Sequence, residues 1–207
     1  MAIYSYVITR DFGFAPNPFF GYCTLATCKP LIRKGAQIGD WVIGTGSAAK
    51  NKEFRNYLVY AMCIEEKISL DDYWNDPRFI NKKPVMNGSN MQWYGDNIYH
   101  LDSDTGQFVQ EDSHHSLEDG SVNMKNYTKD LSGKFVLISK TYWYFGKEAI
   151  LIPEELRCLI KSGQGHKRRD DKILINNFIS WIQRQIGHAF IGIPVQFLGE
   201  FVRYKGE

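Results

Sequence analysis

The stretch GAQIGDWVIGTGS at residues 35–47 organises the predicted fold. Gly39 and Asp40 form a turn signal, and the apolar run at residues 41–43 favours a short buried strand. The small residues at 44–47 then predict an exit loop. Because glycine lets another group approach the backbone closely, this loop is a candidate ligand contact. The alternative is an ordinary strand exit, in which the glycines only provide turn geometry.

The composition is that of a folded globular protein with nearly balanced charge. The 207 residues are 43% hydrophobic and 14% aromatic, and the formal net charge is +2. These values are enough for a substantial core, and we expect a single domain over residues 1–207. A polyanion would have to bind at a local basic patch, because no global field attracts it. No apolar run approaches the roughly 18 residues of a membrane span, so no membrane contact is expected, and the first ten residues are typical of a strand rather than a signal peptide.

The four cysteines, Cys23, Cys28, Cys63 and Cys158, contain no CxxC pair. Their apolar surroundings favour reduced, mostly buried thiols, which indicates a cytoplasmic protein. Cys23 and Cys28 offer two zinc ligands, but no matching second pair follows them. We therefore expect neither a metal nor a cofactor.

The first third of the chain predicts strands around one unusual loop. Residues 3–9 alternate apolar and small polar side chains, which favours a strand, and residues 57–65 predict another. Residues 21–30 favour a strand or a short helical turn. The segment DFGFAPNPFF at residues 11–20 is too rich in proline for a regular element and too apolar for a solvated loop. It either fills the core or forms an apolar wall for a planar ligand. Ser69 is a predicted helix N-cap.

Residues 81–133 are rich in glycine, asparagine, aspartate and serine but contain scattered aromatic residues, which favours a long, ordered, functional loop over disorder. Three of the five histidines fall in this region. His100 and His115, with the carboxylate of Asp96, are candidate catalytic acid/base groups, because imidazole titrates near neutral pH and a carboxylate fixes its tautomer. Solvated loop histidines are the alternative. Metal binding by these histidines with Asp112 has no supporting spacing.

The C-terminal third predicts two further strands and two helices. Residues 134–145 favour a strand, and Pro153 is placed to begin a helix. A basic loop is predicted at residues 162–169. The apolar spacing over residues 170–186 predicts the clearest helix of the chain, and residues 194–201 favour a last strand. Together the elements predict an α+β fold with mostly antiparallel strands and helices packed to one side.

Aromatic and basic side chains complete the candidate ligand site. Aromatic rings that line a pocket would stack on a planar base, which contributes about 1–3 kcal/mol per base. Basic side chains near the glycine loop, or before the helix that follows residues 163–169, would contact a phosphate. Core packing and a solvated basic surface are the alternatives. The candidate ligand contacts are Phe19, Tyr22, Lys29, Arg33, Trp41, Gly44, Thr45, Gly46, Ser47, Trp93, Asn97, Tyr99 and Lys167.

Several familiar functional motifs are absent from the sequence. It contains no P-loop, no GxSxG, no HExxH and no dinucleotide fingerprint. This argues against the usual NTPase, serine hydrolase, zinc protease and Rossmann classes.

Seven stretches, taken together, resemble the second type of nucleotide-modification-associated domain. They are FGFAPNPFFGYCTLATCKP, IGDWVIGTGS, YAMCIEE, YWNDPRF, GDNIYH, DSHHS and LISKTYWYFG, and the resemblance covers about residues 4–153. It implies a bacterial or phage setting in which modified DNA bases are made or handled, and it implies no particular catalytic residues. Residues 38–47 are also similar to the turn and strand of PUA-like domains, including EVE and ASCH members. That similarity implies a PUA-like β-barrel or strongly curved sheet with flanking helices, which reads a base in an aromatic pocket.

The leading functional hypothesis is binding of a nucleotide or a nucleic-acid base, with a modified base in DNA as the expected ligand. The expected pocket is walled by Trp41, Trp93 and the phenylalanine-rich loop. The first alternative is an enzyme on the same ligand, a base-modifying transferase or a glycosidic-bond hydrolase, that uses Asp96, His100 and His115. The second alternative is a protein-interaction subunit of a defence or modification complex.

Overall fold

The structure is a computed structural model that describes residues 1–49, 52 and 54–206. The α-helices are α1 (Pro30–Gly35), α2 (Leu70–Asn75), α3 (Asn90–Trp93), α4 (Met124–Leu131) and α5 (Lys172–Ile182). The strands are β1 (Ile3–Val7), β2 (Cys23–Leu25), β3 (Trp41–Thr45), β4 (Tyr57–Cys63), β5 (Glu66–Ser69), β6 (Tyr99–Leu101), β7 (Phe108–Gln110), β8 (Phe135–Ser139), β9 (Tyr142–Tyr144), β10 (Ile150–Leu151), β11 (His166–Arg169) and β12 (Ala189–Phe190). Short 3₁₀ helices cover Phe54–Asn56, Pro77–Lys82, Gly146–Glu148 and Glu154–Leu159.

The main sheet is mixed. Its strand order is β11-β1-β3-β4-β9-β12, and β10 also pairs with β4. β1 runs parallel to β3 and β12 runs parallel to β9, whereas the other pairs of this sheet are antiparallel. A second sheet has the order β2-β8-β5, and β6 pairs with β7 alone. The mixed helix and sheet content confirms the α+β class.

The predicted PUA-like β-barrel, or strongly curved sheet, is wrong. The described strands form no closed barrel, and the sheets are not strongly curled. The edge strands explain why the main sheet stays open. β11 and β12 lie at its opposite ends and do not pair with each other.

β3 is buried at the centre of the main sheet, as its apolar run predicts. Because side chains alternate along a strand, Val42 packs into the core on one face. Trp41 and Ile43 pack on the other face, where the Trp41 ring lies 5.5 Å from Phe178 of α5. Trp41 is 3% exposed and packs in the core, so the structure does not place it at the wall of a pocket as predicted.

Two predicted helix starts are confirmed by their caps. The Ser69 hydroxyl accepts a hydrogen bond from the amide of Asp72, and the Asp72 carboxylate in turn accepts from the Ser69 amide. α5 begins after Asp171, whose carboxylate accepts from the Leu174 amide at 2.8 Å. α5 ends at Ile182, several residues earlier than predicted, and leaves Ile186 96% exposed.

The prediction of one long loop over residues 81–133 is wrong in part, because α3, β6, β7 and α4 lie within it. The turn-forming residues of this region act as caps for short elements. Ser89 forms a capping box with Gln92 before α3, and the Asn123 side chain accepts amide hydrogen bonds at the start of α4. Small polar residues favour caps and turns equally, so composition did not separate the two.

The last third of the chain differs from prediction in four places. The strand predicted over residues 134–145 is two strands in two sheets, β8 and β9, and the turn between them is held by Glu65. The predicted loop at residues 162–169 includes β11, which pairs with β1. Pro153 caps a 3₁₀ helix rather than beginning an α-helix. Residues 194–201 form no strand, because the amides of residues 195 and 196 donate to Asp11 instead of to a neighbouring strand.

In the described part of the chain, every helix is too short or too polar to cross a bilayer.

Candidate functional site

A cleft of about 1290 Å³ opens where the parallel strands β1 and β3 end. Parallel neighbours end at the same edge of a sheet, so the segments that follow them meet there. Residues 8–12 follow β1 and residues 46–49 follow β3, and both segments line the cleft. The start of α1, residues 160–166 and the C-terminal segment close its other sides.

The cleft carries a concentrated positive charge that the near-neutral composition conceals. Among the described residues that line it, six are lysine or arginine, His166 is another basic group, and one, Asp11, carries a carboxylate. That carboxylate accepts hydrogen bonds from the Tyr144 hydroxyl and, at 3.0 Å, from the Val195 amide. The six basic residues are Arg10, Lys29, Arg55, Lys129, Arg157 and Lys161.

These basic side chains are not neutralised within the described part of the chain. None of the six forms an ion pair with a described carboxylate. Two lie over aromatic rings instead: Lys29 Nζ is 4.4 Å from the centre of the Tyr6 ring, and the Arg10 guanidinium is 5.4 Å from that of Tyr204. Burial lowers the pKa of Lys29, and a bound anion would counteract that shift. Because the six side chains have no described carboxylate partner, the cleft offers cationic hydrogen-bond donors to an anion.

Aromatic rings form the floor of the cleft. Phe14 is a buried residue of the phenylalanine-rich loop, and its ring lies 4.6 Å from that of His115. The partly exposed Tyr204 ring lies 5.3 Å from His115 on another side. Phe14 of this loop lines the cleft, whereas Phe19 packs outside it.

His115 connects this floor to a buried carboxylate. Its Nδ1 lies 2.6 Å from Oδ2 of Asp130, and its Nε2 lies 3.6 Å from Sγ of Cys28. Burial acts to lower the pKa of His115, but Asp130 and the Cys28 sulfur outweigh it and raise that pKa to about 10. Burial acts to raise the pKa of Asp130, but His115 and then Arg33 bring it below its ordinary value. An imidazolium paired with a carboxylate is therefore the favoured state.

Cys28, His115 and Asp130 are also a candidate metal-binding group within the described chain, because their donor atoms lie within 4.8 Å of one another. The carboxylate of Asp130 is already engaged. Its Oδ1 accepts from the Cys28 amide at 2.7 Å, and its Oδ2 accepts from Tyr99 at 3.1 Å and faces His115. Only Cys28 Sγ and His115 Nε2 remain, which is fewer than the three or four protein ligands of ordinary zinc sites.

Four predicted site residues line this cleft: Lys29, Gly46, Ser47 and His115. Tyr99 lies behind the cleft, where its hydroxyl donates to the carboxylate of Asp130. Gly46 is required by packing, because a Cβ there would lie 2.1 Å from the carbonyl oxygen of Phe54. Packing against the Phe54 backbone is therefore enough to explain why residue 46 is a glycine.

The three predicted acid/base groups do not form one site. His100 lies outside the cleft on β6, and its Nε2 is 2.8 Å from Glu111. Asp96 is buried in another part of the core, where its carboxylate accepts from Tyr73 at 2.8 Å. His115 alone reaches the cleft.

Five other candidates serve the backbone or the core. Arg33 is buried, and its guanidinium donates to three backbone carbonyl groups. Lys167 donates to two carbonyl groups beside β11. Gly44 lies inside β3, where a Cβ would be 2.4 Å from Ile8, and Thr45 is buried next to it. Together with Trp41, these residues do not line the cleft.

The remaining candidates also lie outside the cleft and are Phe19, Tyr22, Trp93 and Asn97. Phe19 packs against Phe197, with ring centres 5.3 Å apart. Asn97 is buried, and its amide donates to the Tyr73 carbonyl at 3.0 Å. These contacts stabilise chain segments that the sequence does not show to be neighbours.

Sequence reasoning missed Cys28 and Asp130. Cys28 was considered only as a buried thiol or a weak zinc ligand, although it directly precedes Lys29. Asp130 had no local signal, because it follows Lys129 near the end of the polar helix α4. Residues 162–166 of the predicted basic loop line the cleft, but of its basic side chains only His166 does so.

Comparison with known proteins places the chain in one family. No curated protein and no solved structure matches it. The family described as nucleotide modification associated domain 2 matches residues 1–201, nearly the whole chain. This confirms the first resemblance, whereas the PUA-like similarity is not supported. The chain belongs to the nucleotide modification associated domain 2 family.

Proposed function

We propose that the cleft binds a phosphate-bearing nucleotide, either free or as part of a single DNA strand. The observation that carries this proposal is the set of six basic side chains around one cleft in a chain whose net charge is only +2. Charge concentrated in a concave site attracts an anion locally even when the whole protein is nearly neutral.

The chemistry of the rim suits phosphate. Arg10, Arg55 and Arg157 can each offer paired N–H donors to phosphate oxygens, and lysine ammonium groups add point charges. Arg55 and Arg157 are exposed and have no described carboxylate partner that a phosphate would need to displace. The cost of binding is therefore mainly that of ordering their side chains.

The floor of the cleft suits the base. A planar ring would lie against the partly exposed Tyr204, and such stacking contributes about 1–3 kcal/mol per base. The volume of about 1290 Å³ exceeds the roughly 300–1,000 Å³ of usual small-ligand pockets. A nucleotide within a strand, or one that carries a large substituent on its base, would use this extra space.

Family membership supports a modified base in DNA as the ligand, in a bacterial or phage setting. The same proposal places the protein in the cytoplasm, where nucleotides are available and where thiols stay reduced. All four cysteines are unpaired, which agrees with that compartment.

Direct binding measurements test the proposal. Fluorescence anisotropy with a labelled single-stranded oligodeoxynucleotide, and calorimetry with deoxynucleoside monophosphates, separate the strand from the free nucleotide. We expect Arg55→Ala and Lys161→Ala each to weaken binding. On the oligonucleotide, each should also reduce the slope of log K against log salt by about 0.7, because one phosphate contact is lost.

The matched control is Arg184→Ala, which removes an exposed arginine outside the cleft and should leave both quantities unchanged. Equal losses in the control and in the cleft variants would contradict a local site. Absence of binding to every nucleotide and oligonucleotide would contradict the proposal itself.

A further inference from the structure

Cys28 occupies a position at the cleft that the other cysteines do not share. It is half-buried, lines the cleft, and its sulfur lies 3.6 Å from His115 Nε2. Cys23 is buried, Cys63 is half-buried but does not line the cleft, and the exposed Cys158 donates to the Glu155 carbonyl at 3.9 Å. Cys28 is therefore distinguished by a histidine partner and by access to the cleft.

Hydrogen bonds to the backbone of Cys28 hold this residue in place without involving its side chain. Cys28 and Lys29 have φ values of 55° and 37°, in the left-handed region that residues other than glycine seldom adopt. The Cys28 amide donates to Asp130, and the buried Arg33 donates to the Cys28 carbonyl at 2.8 Å. Such a conformation persists only where surrounding contacts determine it, and it is concentrated at functional sites.

One carboxylate orders both the cysteine and the histidine. Oδ1 of Asp130 accepts the Cys28 amide, and Oδ2 lies 2.6 Å from Nδ1 of His115. Because Nδ1 is directed at the carboxylate, Nε2 is directed at the sulfur. A nucleophile, a base that contacts it and a third group that orients the base are the three parts of covalent acyl-transfer sites.

We propose that Cys28, His115 and Asp130 form a catalytic triad that cleaves an amide or ester carried by the ligand of the cleft. Cys28 is the nucleophile, His115 moves the proton, and Asp130 is a positioning residue. The assignment of the ligand as a phosphate-bearing nucleotide rests on the proposed function, whereas the reactivity of the thiol does not depend on it.

The reaction is balanced by water alone. The Cys28 thiolate attacks the carbonyl carbon and forms a C–S bond, while the bond to the amine or alcohol breaks and His115 gives that leaving group its Nε2 proton. The neutral His115 then takes a proton from water, and the resulting hydroxide attacks the thioester. The C–S bond breaks, which releases the carboxylic acid and restores the thiolate and the imidazolium. No oxidant or reductant is consumed.

Alkylation of the wild-type chain by iodoacetamide tests the nucleophile without a known substrate. A nucleophile is activated by an adjacent acid/base group, and the Cys28 sulfur lies 3.6 Å from His115 Nε2, whereas the Cys158 sulfur contacts the Glu155 carbonyl. Peptide mass spectrometry should therefore show Cys28 alkylated about tenfold faster than Cys158, although Cys158 is the more exposed.

His115→Gln should remove most of this difference and leave the rate at Cys158 unchanged. If that variant does not fold, the comparison of the two cysteines within the wild-type chain still decides. A Cys28 rate equal to or below that of Cys158 would overturn the triad.

An acyl donor tests the second part of the proposal. p-Nitrophenyl acetate should acetylate Cys28 as a thioester, with no adduct at Cys158, and Cys158→Ser should behave like the wild type. Stoichiometric Zn²⁺ binding that Cys28→Ser abolishes, without acetylation of the wild type, would assign the pair to a metal and overturn the triad. Fast alkylation and acetylation in a protein that binds no nucleotide would retain the triad and refute only the proposed ligand.

Discussion

Two buried pairs of opposite charge differ in whether the protein closes around them. Lys82 and Asp96 lie in the core, and the ammonium of Lys82 donates to three oxygens at 2.7–3.0 Å, two from Asn17 and one from Tyr22. His115 and Asp130 are equally buried, but the free ring nitrogen of His115 meets Cys28 at the cleft. The first pair is sealed on all sides, and the second has one side open to a ligand.

The pKa shifts separate the pairs in the same way. Burial lowers the pKa of Lys82 to about 8, only partly offset by Asp96, and burial also raises the pKa of Asp96. In the pair at the cleft, the partners outweigh burial and raise the pKa of His115 to about 10. The sealed pair thus carries a desolvation cost, whereas the cleft pair holds a stabilised cation beside a thiol. Buried charge alone does not mark a candidate site, whereas buried charge beside a cleft does.

The largest expected effect is loss of stability on breaking the sealed pair. Lys82→Met leaves two Asn17 oxygens and the Tyr22 carbonyl without their buried donor and removes the positive charge that favours the Asp96 carboxylate, which should lower the free energy of unfolding by about 3–5 kcal/mol in urea titrations. The control is Lys205→Met at a 73% exposed lysine that lies 3.9 Å from Glu118. A surface pair of this kind contributes roughly 0–1 kcal/mol. Similar losses in both variants would remove the distinction between sealed and exposed charge.

A substitution at a tightly packed backbone position on the edge of the cleft should lower the free energy of unfolding nearly as much as the Lys82 substitution in the core. Gly46→Ala places a Cβ 2.1 Å from a backbone oxygen of Phe54, so the chain must shift at a cost of about 1–3 kcal/mol. Gly35→Ala is the matched control, because its nearest atom is the Tyr4 hydroxyl at 3.7 Å. Denaturant unfolding of the two variants measures the difference, and equal stabilities would contradict the packing interpretation.

Acid should destabilise the protein through the histidine next to the triad. Burial, followed by the charge of His115, lowers the pKa of His114 to about 3. Its folded pKa is below the unfolded value of about 6.5, so its contribution to stability is full above pH 6.5 and is lost as the pH falls toward 3. Between pH 6.5 and 5 this amounts to about 2 kcal/mol.

His115 should not contribute in that range, because its raised pKa leaves it protonated in both states below about pH 6.5. Its own contribution is lost as the pH rises from about 6.5 through 10. Unfolding measured at pH 6.5 and 5 should therefore become less pH-dependent in His114→Gln. The control His188→Gln changes an exposed histidine and should leave the pH dependence as it is in the wild type. An unchanged pH dependence in His114→Gln would contradict the assignment.

The smallest expected change in stability is at the open side of the cleft pair. Cys28→Ser keeps the backbone contacts with Asp130 and Arg33 and changes only the half-buried sulfur. We expect the free energy of unfolding to change by less than about 1 kcal/mol. Urea titration checks this, and a loss of several kcal/mol would show that Cys28 is a packing residue like those around Lys82.

Local sequence signals determined the parts of the fold that depend on neighbours in the chain. The apolar run of β3 between a turn signal and small residues predicted a buried strand, and the serine before α2 predicted its cap. The apolar spacing in α5 identified its buried face, including Ile175 and Phe178. In each case the physical cause lies within a few residues, as backbone propensity, capping or periodicity. The family resemblance likewise rested on short stretches of sequence.

Only the tertiary structure decided which side chains share a site. Cys28 and His115 are 87 residues apart, and His115 and Asp130 are 15 residues apart on different segments. Their convergence depends on α1 packing beside α4 and on the parallel pairing that ends β1 and β3 at one edge. Long-range packing of this kind leaves no periodicity in the sequence. The sequence therefore could not separate Asp96 from His115 as site candidates, whereas the structure buries Asp96 away from the cleft and places His115 in its lining.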